Sequence, residues 1–141
     1  VLIQRTINEQ NGVQLQSIAC VGWAQAIDTG QVSGQTWTKL LAQYLEPVRA
    51  FGAEVVVLGC THYPFIAVDI RAYLGEGIML LDSGAPVARY TESILDIRGG
   101  RAVVKKLGQT RNYATCVDDA VRARWQYFSD AACVELSPLS L

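Results

Sequence analysis

Two patterns in the sequence predict an α/β fold in which helices pack on a parallel sheet. Between Trp37 and Phe51, apolar residues recur every three or four positions, as in a helix with one buried face. The apolar run at residues 55–58 follows and favours a central strand buried on both faces, as in parallel sheets. Helical and extended patterns alternate along the rest of the chain, which is typical of an α/β sandwich with a parallel sheet.

The first part of the chain predicts three short elements and one long helix. Residues 2–11 have the pattern of the end of a helix, residues 13–18 alternate as in a strand, and residues 20–27 fit a short helix. The long helix at residues 37–51 contains Pro47, which lacks an amide donor and should bend or split it.

The second part of the chain predicts three further helices and three strands. Pro64 is suited to the first turn of a helix that continues to residue 74, and Ser83 can cap a helix that continues to residue 94. In the latter helix, we expect the side chains of Val87, Tyr90, Ile94 and Leu95 to point inward. The remaining elements are strands at residues 78–81, 102–107 and 133–136 and a helix at 118–128.

Composition and charge describe an ordinary globular domain. The 141 residues are 50% hydrophobic and 18% charged, with 12 basic and 13 acidic residues, so disorder and a nucleic-acid partner are not expected. The longest apolar run is too short to cross a membrane. Four cysteines lie far apart and there is one histidine, so we expect reduced thiols in a cytoplasmic protein and no metal site.

The candidate site follows the apolar strand. Cys60, Thr61 and His62 lie between this strand and the helix that begins near Pro64, and ligands of parallel sheets bind beyond the carboxyl ends of strands. A helix start attracts a carboxylate, and the same field with a nearby imidazole favours a thiolate. Such a thiolate is suited to removing a proton next to a carboxylate. The residues alone fit a cysteine hydrolase equally well, or a buried, inert cysteine.

The motif Gly59-Cys60-Thr61-His62-Tyr63-Pro64 resembles the second signature of the glutamate racemases, within the aspartate/glutamate racemase family. The resemblance extends from about residue 13 to residue 95, through Ser17-Ile18-Ala19-Cys20, Tyr44-Leu45-Glu46-Pro47 and the stretch from residue 78 to 89. Related aspartate racemases typically have glutamate where His62 stands.

The resemblance implies a cofactor-independent exchange of protons between two cysteines on opposite faces of glutamate. Cys60 matches the cysteine that deprotonates L-glutamate, His62 matches the histidine that assists it, and Thr61 matches a residue that helps to hold the substrate. Asp28 stands where the family usually has a glutamate that interacts with this histidine. Aspartate keeps the charge but is one methylene shorter, and a solvated acid at a helix end is the alternative interpretation. Cys20, Cys116 and Cys133 are expected to be structural.

The resemblance also implies a two-lobed, pseudo-symmetric fold that this chain contains in part. Residues 1–84 correspond to the second lobe, incomplete at its start, and residues 85–141 to a segment that returns to the first lobe. We therefore expect a truncated chain without the first cysteine, unable to racemise alone, with uncovered apolar surface at Val87, Ile94 and Trp125.

For the whole protein, the resemblance implies a cytoplasmic homodimer that supplies D-glutamate for peptidoglycan. The alternatives are an aspartate or hydantoin racemase of the same superfamily, and a catalytically silent binding protein.

Overall fold

The computed structural model describes residues 12–102, 111–128 and 136–139. Its helices are α1 (Trp23–Asp28), α2 (Gly34–Phe51), a 3-10 helix (Tyr63–Ile66), α3 (Ala67–Leu74), α4 (Gly84–Ile97) and α5 (Asp119–Phe128). Its strands are β1 (Val55–Val57), β2 (Met79–Leu81), β3 (Asn112–Ala114) and β4 (Leu136–Pro138).

The described strands pair in parallel. β1 lies beside β2 with Val55 opposite Met79, and the chain passes from one to the other through the 3-10 helix and α3. β3 and β4 form a second parallel pair. The predicted α/β class with parallel strands is therefore confirmed.

The core lies between one face of the β1–β2 pair and helices α1, α2 and α3. The periodic stripe of α2 supplies Trp37, Leu41 and Leu45, as the spacing predicted. The other buried members are Trp23, Ala26, Ile27, Leu58, Ile66 and Ile70, with Val56 and Leu80 packed against them. This packing fixes α1 beside the loop that follows β1.

The opposite face of the β1–β2 pair is open. Val57 and Met79 are each 58% exposed, and their neighbours Val55 and Leu81 are exposed too. The prediction of a central strand buried on both faces is therefore wrong for the described residues, where β1 has one strand neighbour and one helical layer. An apolar sequence shows that a strand can be buried, whereas the packing of other elements decides whether it is.

Pro47 was predicted to bend or split helix α2. The helix runs through Pro47 without a break, so of these two outcomes the split is wrong. Proline leaves the carbonyl of Gln43, four residues earlier, without its helical partner. Gln43 and Pro47 are both exposed, so water can bind that carbonyl. The helix ends at Gly52, whose φ of 71° is readily adopted only by glycine and whose amide donates to the carbonyl of Arg49.

Helix α4 corrects two predictions. Ser83 makes no side-chain cap because its backbone is helical, whereas a cap residue needs an extended one. The carboxylate of Asp82 instead accepts a hydrogen bond from the Gly84 amide at 2.7 Å. The predicted inward face is not buried, since Tyr90 is 69% exposed and Val87 and Leu95 are exposed as well.

The remaining differences concern short or peripheral segments. Residues 13–18 lack regular structure, so the predicted strand is wrong. Alternating polarity suits a strand, but a strand forms only where a second strand pairs with it. Residues 103–107 and 133–135 of two predicted strands, and the predicted helix end at residues 2–11, lie outside the described residues. Strand β3 (Asn112–Ala114) was not predicted, because three residues of mixed polarity show no strand pattern in the sequence.

Candidate active site

The loop after β1 carries the candidate thiol. Leu58 extends the pairing with β2 by donating its amide to the carbonyl of Leu81 at 2.7 Å. The chain then turns into the 3-10 helix, where the Tyr63 amide donates to the Cys60 carbonyl at 3.2 Å and the Phe65 amide to the His62 carbonyl at 3.1 Å. These bonds hold Cys60, Thr61 and His62 in one compact turn.

Three of the predicted site residues form a chain of polar contacts. The Cys60 Sγ lies 3.6 Å from His62 Nδ1, and His62 Nε2 lies 3.0 Å from Asp28 Oδ1. Asp28 is the last residue of α1, so packing brings it to His62 from 34 positions away in the sequence. The shorter aspartate therefore reaches the histidine, and Asp28 is not an isolated solvated acid.

The order of these contacts suits proton transfer. A carboxylate beside Nε2 favours the imidazole tautomer that carries its proton on Nε2. Nδ1 is then free to accept the thiol proton of Cys60, which leaves a thiolate beside an imidazolium. Thr61 is exposed in the same turn, so its hydroxyl is accessible to a bound molecule.

An aromatic cluster that the sequence did not reveal packs at the start of α1, next to the turn that carries the site. Trp23 is buried and meets the rings of Tyr44 and Tyr63 edge-on, with centroids 5.9 and 5.2 Å away. Its indole N–H donates to the carbonyl of Leu40 at 3.3 Å. The hydroxyls of Tyr44 and Tyr63 donate to the carbonyls of Val21 and Cys20, just before α1. The aromatic spacing in the sequence gave no sign of this convergence.

Cys20 differs from Cys60 in its surroundings. Burial raises the pKa of the Cys20 thiol, a hydrogen bond from Tyr63 lowers it to a smaller extent, and the charge of Cys60 raises it again. Cys20 thus remains a protonated, half-buried thiol, in keeping with the predicted structural role. Cys116 is exposed rather than packed in the core, and Cys133 lies outside the described residues.

Metal binding and membrane insertion find no support in the part of the chain that the structure describes. No group of three or more histidine, cysteine, aspartate or glutamate side chains there could hold a metal ion. None of its helices combines the length and the apolar character needed to cross a bilayer.

The chain is similar in sequence to proteins named glutamate racemase. The chain is 41% identical over 93 residues to a glutamate racemase of Herpetosiphon aurantiacus. These residues make up 65% of this chain and 37% of the relative. It is 40% identical to the enzyme of Deinococcus radiodurans over 65% of this chain and 31% of that one. A glutamate racemase of a Roseiflexus species is 32% identical over 86% of this chain and 45% of its own length. The chain thus spans less than half the length of these relatives.

Comparison of structures gives the same fold. A glutamate racemase of Francisella tularensis, solved in complex with D-glutamate, matches with a TM-score of 0.78 and 22% identity. That match covers 98% of this chain and 52% of the Francisella chain. A glutamate racemase isoform of Bacillus anthracis matches with a TM-score of 0.74, over 99% of this chain and 54% of the other. No protein-family model matches the chain.

These findings show the fold. The described residues share the parallel α/β fold of two solved glutamate racemases. The chain is similar to part of the glutamate racemases in sequence and in fold. The resemblance inferred from the motif around Cys60 is confirmed.

Proposed function

We propose that this chain supplies one proton-transferring thiol, Cys60, to a cofactor-independent glutamate racemase. The observation that carries the proposal is the contact chain from the Cys60 thiol through the imidazole of His62 to the carboxylate of Asp28. The names of the sequence relatives support the reaction, and the D-glutamate bound to the Francisella enzyme supports the substrate.

In the proposed forward step, the thiolate of Cys60 removes the α-proton of L-glutamate. The S–H bond forms as the C–H bond breaks, and the electron pair delocalises into the adjacent carboxylate of the substrate. His62 accepts the thiol proton before this step and returns it during the reverse reaction, while Asp28 keeps the imidazole in the matching tautomer. The product then needs a proton from an acid on the opposite face of the α-carbon.

The turn around Thr61 is suited to the substrate carboxylate. The exposed Thr61 hydroxyl can donate a hydrogen bond to an anion, whereas the Tyr63 and Phe65 amides already donate within the turn. Because Cys60 stands in the same turn, an anion held there brings its α-carbon near the thiol. The D-glutamate produced would serve peptidoglycan synthesis in the cytoplasm.

Isotope exchange tests the proposal directly. The chain is incubated with L-glutamate or D-glutamate in deuterium oxide, and loss of the α-proton signal is followed by proton NMR. We expect exchange of L-glutamate to exceed that of D-glutamate, with little inversion because the chain supplies one thiol to the site. Cys60→Ser should reduce exchange to the rate without protein, and Cys116→Ser, which removes an exposed thiol that is not part of the turn, should have no effect.

Two other results would change the assignment. Faster exchange of aspartate than of glutamate would assign the chain to a different racemase of the superfamily. Equal exchange by the unmodified chain and by Cys60→Ser would contradict a role for the thiol. Rapid racemisation that depends on Cys60 would show that a second acid is already present in the chain.

A further inference from the structure

Tyr63 makes hydrogen bonds to both segments that position the Cys60–His62–Asp28 contacts: the turn after β1 and the segment before α1. Its backbone amide donates to the Cys60 carbonyl at 3.2 Å, within the turn that carries the thiol and His62. Its hydroxyl donates to the Cys20 carbonyl at 3.4 Å, in the segment that leads into α1. Asp28 stands at the far end of α1, only six residues long. Tyr63 therefore connects the turn that carries His62 to the helix that carries Asp28.

The ring of Tyr63 fixes the same junction through packing. It meets Trp23, the first residue of α1, at a centroid distance of 5.2 Å and an interplanar angle of 74°. Edge-on aromatic pairs of this kind have a preferred geometry and resist sliding. Trp23 and Ile27 are both buried, so α1 cannot shift without disturbing this contact.

The hydroxyl remains a donor throughout the working pH range. Burial, together with the nearby Cys20 and Cys60, raises the pKa of Tyr63 to about 12. The hydroxyl therefore keeps its proton near neutral pH and can donate it to the Cys20 carbonyl.

We infer that Tyr63 is a positioning residue that holds Asp28 within hydrogen-bonding distance of His62, and thereby sets the imidazole tautomer that faces Cys60. The Asp28–His62 contact is exposed to water and draws little rigidity from its own surroundings. Its geometry depends instead on how α1 is held against the turn, which is the junction that Tyr63 makes. The catalytic meaning of this role rests on the proposed function, whereas the tautomer is a property of the folded chain alone.

Tyr44 provides a matched control. Its hydroxyl donates to the carbonyl of Val21, one residue after Cys20, at 3.1 Å, and its ring also meets Trp23 edge-on. Its backbone belongs to α2, however, and has no bond to the turn of Cys60 and His62. Tyr44→Phe and Tyr63→Phe therefore remove similar bonds to the same segment, and only the second loosens the connection to His62.

The test is nitrogen-15 NMR of the histidine ring in the full chain. His62 is the only histidine, so selective labelling gives a single pair of ring signals. At about pH 8.5 an ordinary imidazole is neutral, and its two nitrogen shifts report the tautomer. We expect the unmodified chain to carry the proton mainly on Nε2. Asp28→Asn should shift the signals toward a mixture of tautomers and sets the scale of the effect.

Tyr63→Phe should produce at least half of the Asp28→Asn shift, and Tyr44→Phe should produce less than a tenth of it. Thermal unfolding shows whether the two phenylalanine variants are folded and similarly stable. Equal shifts in both variants would overturn the inference, because they would indicate a purely structural contribution. Unchanged signals in a folded Tyr63→Phe variant would overturn it as well.

The NMR measurement uses no glutamate, so it separates this inference from the proposed function. If isotope exchange does not depend on Cys60 but Tyr63→Phe gives the expected shift of the histidine signals, the racemase proposal is refuted and the positioning role stands. Exchange that depends on Cys60, together with unaltered tautomers in Tyr63→Phe, would refute the positioning role alone.

Discussion

The contribution of Asp28 to the reactivity of Cys60 is limited by its exposure to water. The side chain of Asp28 is 63% exposed and that of His62 is 34% exposed, although their atoms lie 3.0 Å apart. Exposed ion pairs contribute about 0.2–1 kcal/mol, whereas breaking a buried pair costs about 3–5 kcal/mol. Because His62 is partly shielded, we expect the upper end of the exposed range. A free energy of about 1 kcal/mol corresponds to about a fivefold change in rate.

The perturbation is Asp28→Asn, which keeps the shape of the side chain and removes its charge. The assay is alkylation of Cys60 by iodoacetamide at neutral pH, in which the sulfur–carbon bond forms and iodide leaves; mass spectrometry of peptides locates the modified thiol. We expect the rate at Cys60 to fall about fivefold, because loss of the carboxylate destabilises the imidazolium that accompanies the thiolate. Asp28→Glu restores the charge and should stay within about twofold of the original rate.

Asp96→Asn is the control for loss of an exposed aspartate. Asp96 pairs with Arg101 at the end of α4, and its side chain is 53% exposed. Its replacement should leave alkylation of Cys60 unchanged. A hundredfold loss of rate in Asp28→Asn would refute the argument from exposure, and an unchanged rate would show that the contact has no influence on the thiol.

Three further predictions concern the stability of the fold, measured by urea unfolding with tryptophan fluorescence. The Trp37 indole donates to Asp69 at 2.9 Å, so Asp69→Ala should cost about 1–3 kcal/mol by leaving a buried N–H without an acceptor, while Asp69→Asn should cost less. Ile70 is 1% exposed, and Ile70→Ala should cost about 2–5 kcal/mol through the cavity; a cost below about 1 kcal/mol would mean that the core collapses around it. The folded chain raises the pKa of Cys20 above 9.0 and that of Tyr63 to about 12, so the unfolded chain loses these protons first. The free energy of unfolding should therefore fall as the pH rises from 9 to 12, and Cys20→Ala should reduce the fall; a pH-independent stability would contradict the burial of both groups.

The sequence could predict those features that depend on neighbours along the chain. The helical stripe around Trp37 and Leu41 is buried as its period requires, and the turn that holds Cys60 and His62 follows the apolar strand as expected. Asp28 was found through the family resemblance, because 34 positions separate it from His62 and only packing brings them together. The contact geometry could not be predicted, since it depends on how α1 lies against the 3-10 helix.

The incorrect predictions share one physical cause. An apolar strand or helix face has the capacity to be buried, and whether it is buried depends on which other elements pack against it. Val57 and Tyr90 show this, because both have the apolar or aromatic character of core residues and both are exposed. The capping error has a local cause of the same kind, since Ser83 has a suitable side chain on a backbone that is already helical.

Racemisation and proton exchange separate the two halves of the proposed reaction. A single thiol that removes a proton and returns one from solvent acts on the same face of the α-carbon, so it exchanges hydrogen without changing configuration. Inversion requires a second acid on the opposite face, at a distance that allows direct transfer to carbon. Cys20 is a poor candidate for that acid, because its thiol is half-buried and burial raises its pKa. The ratio of exchange to inversion therefore reports how often a second acid reaches the substrate while Cys60 holds the first proton, independently of how reactive Cys60 itself is.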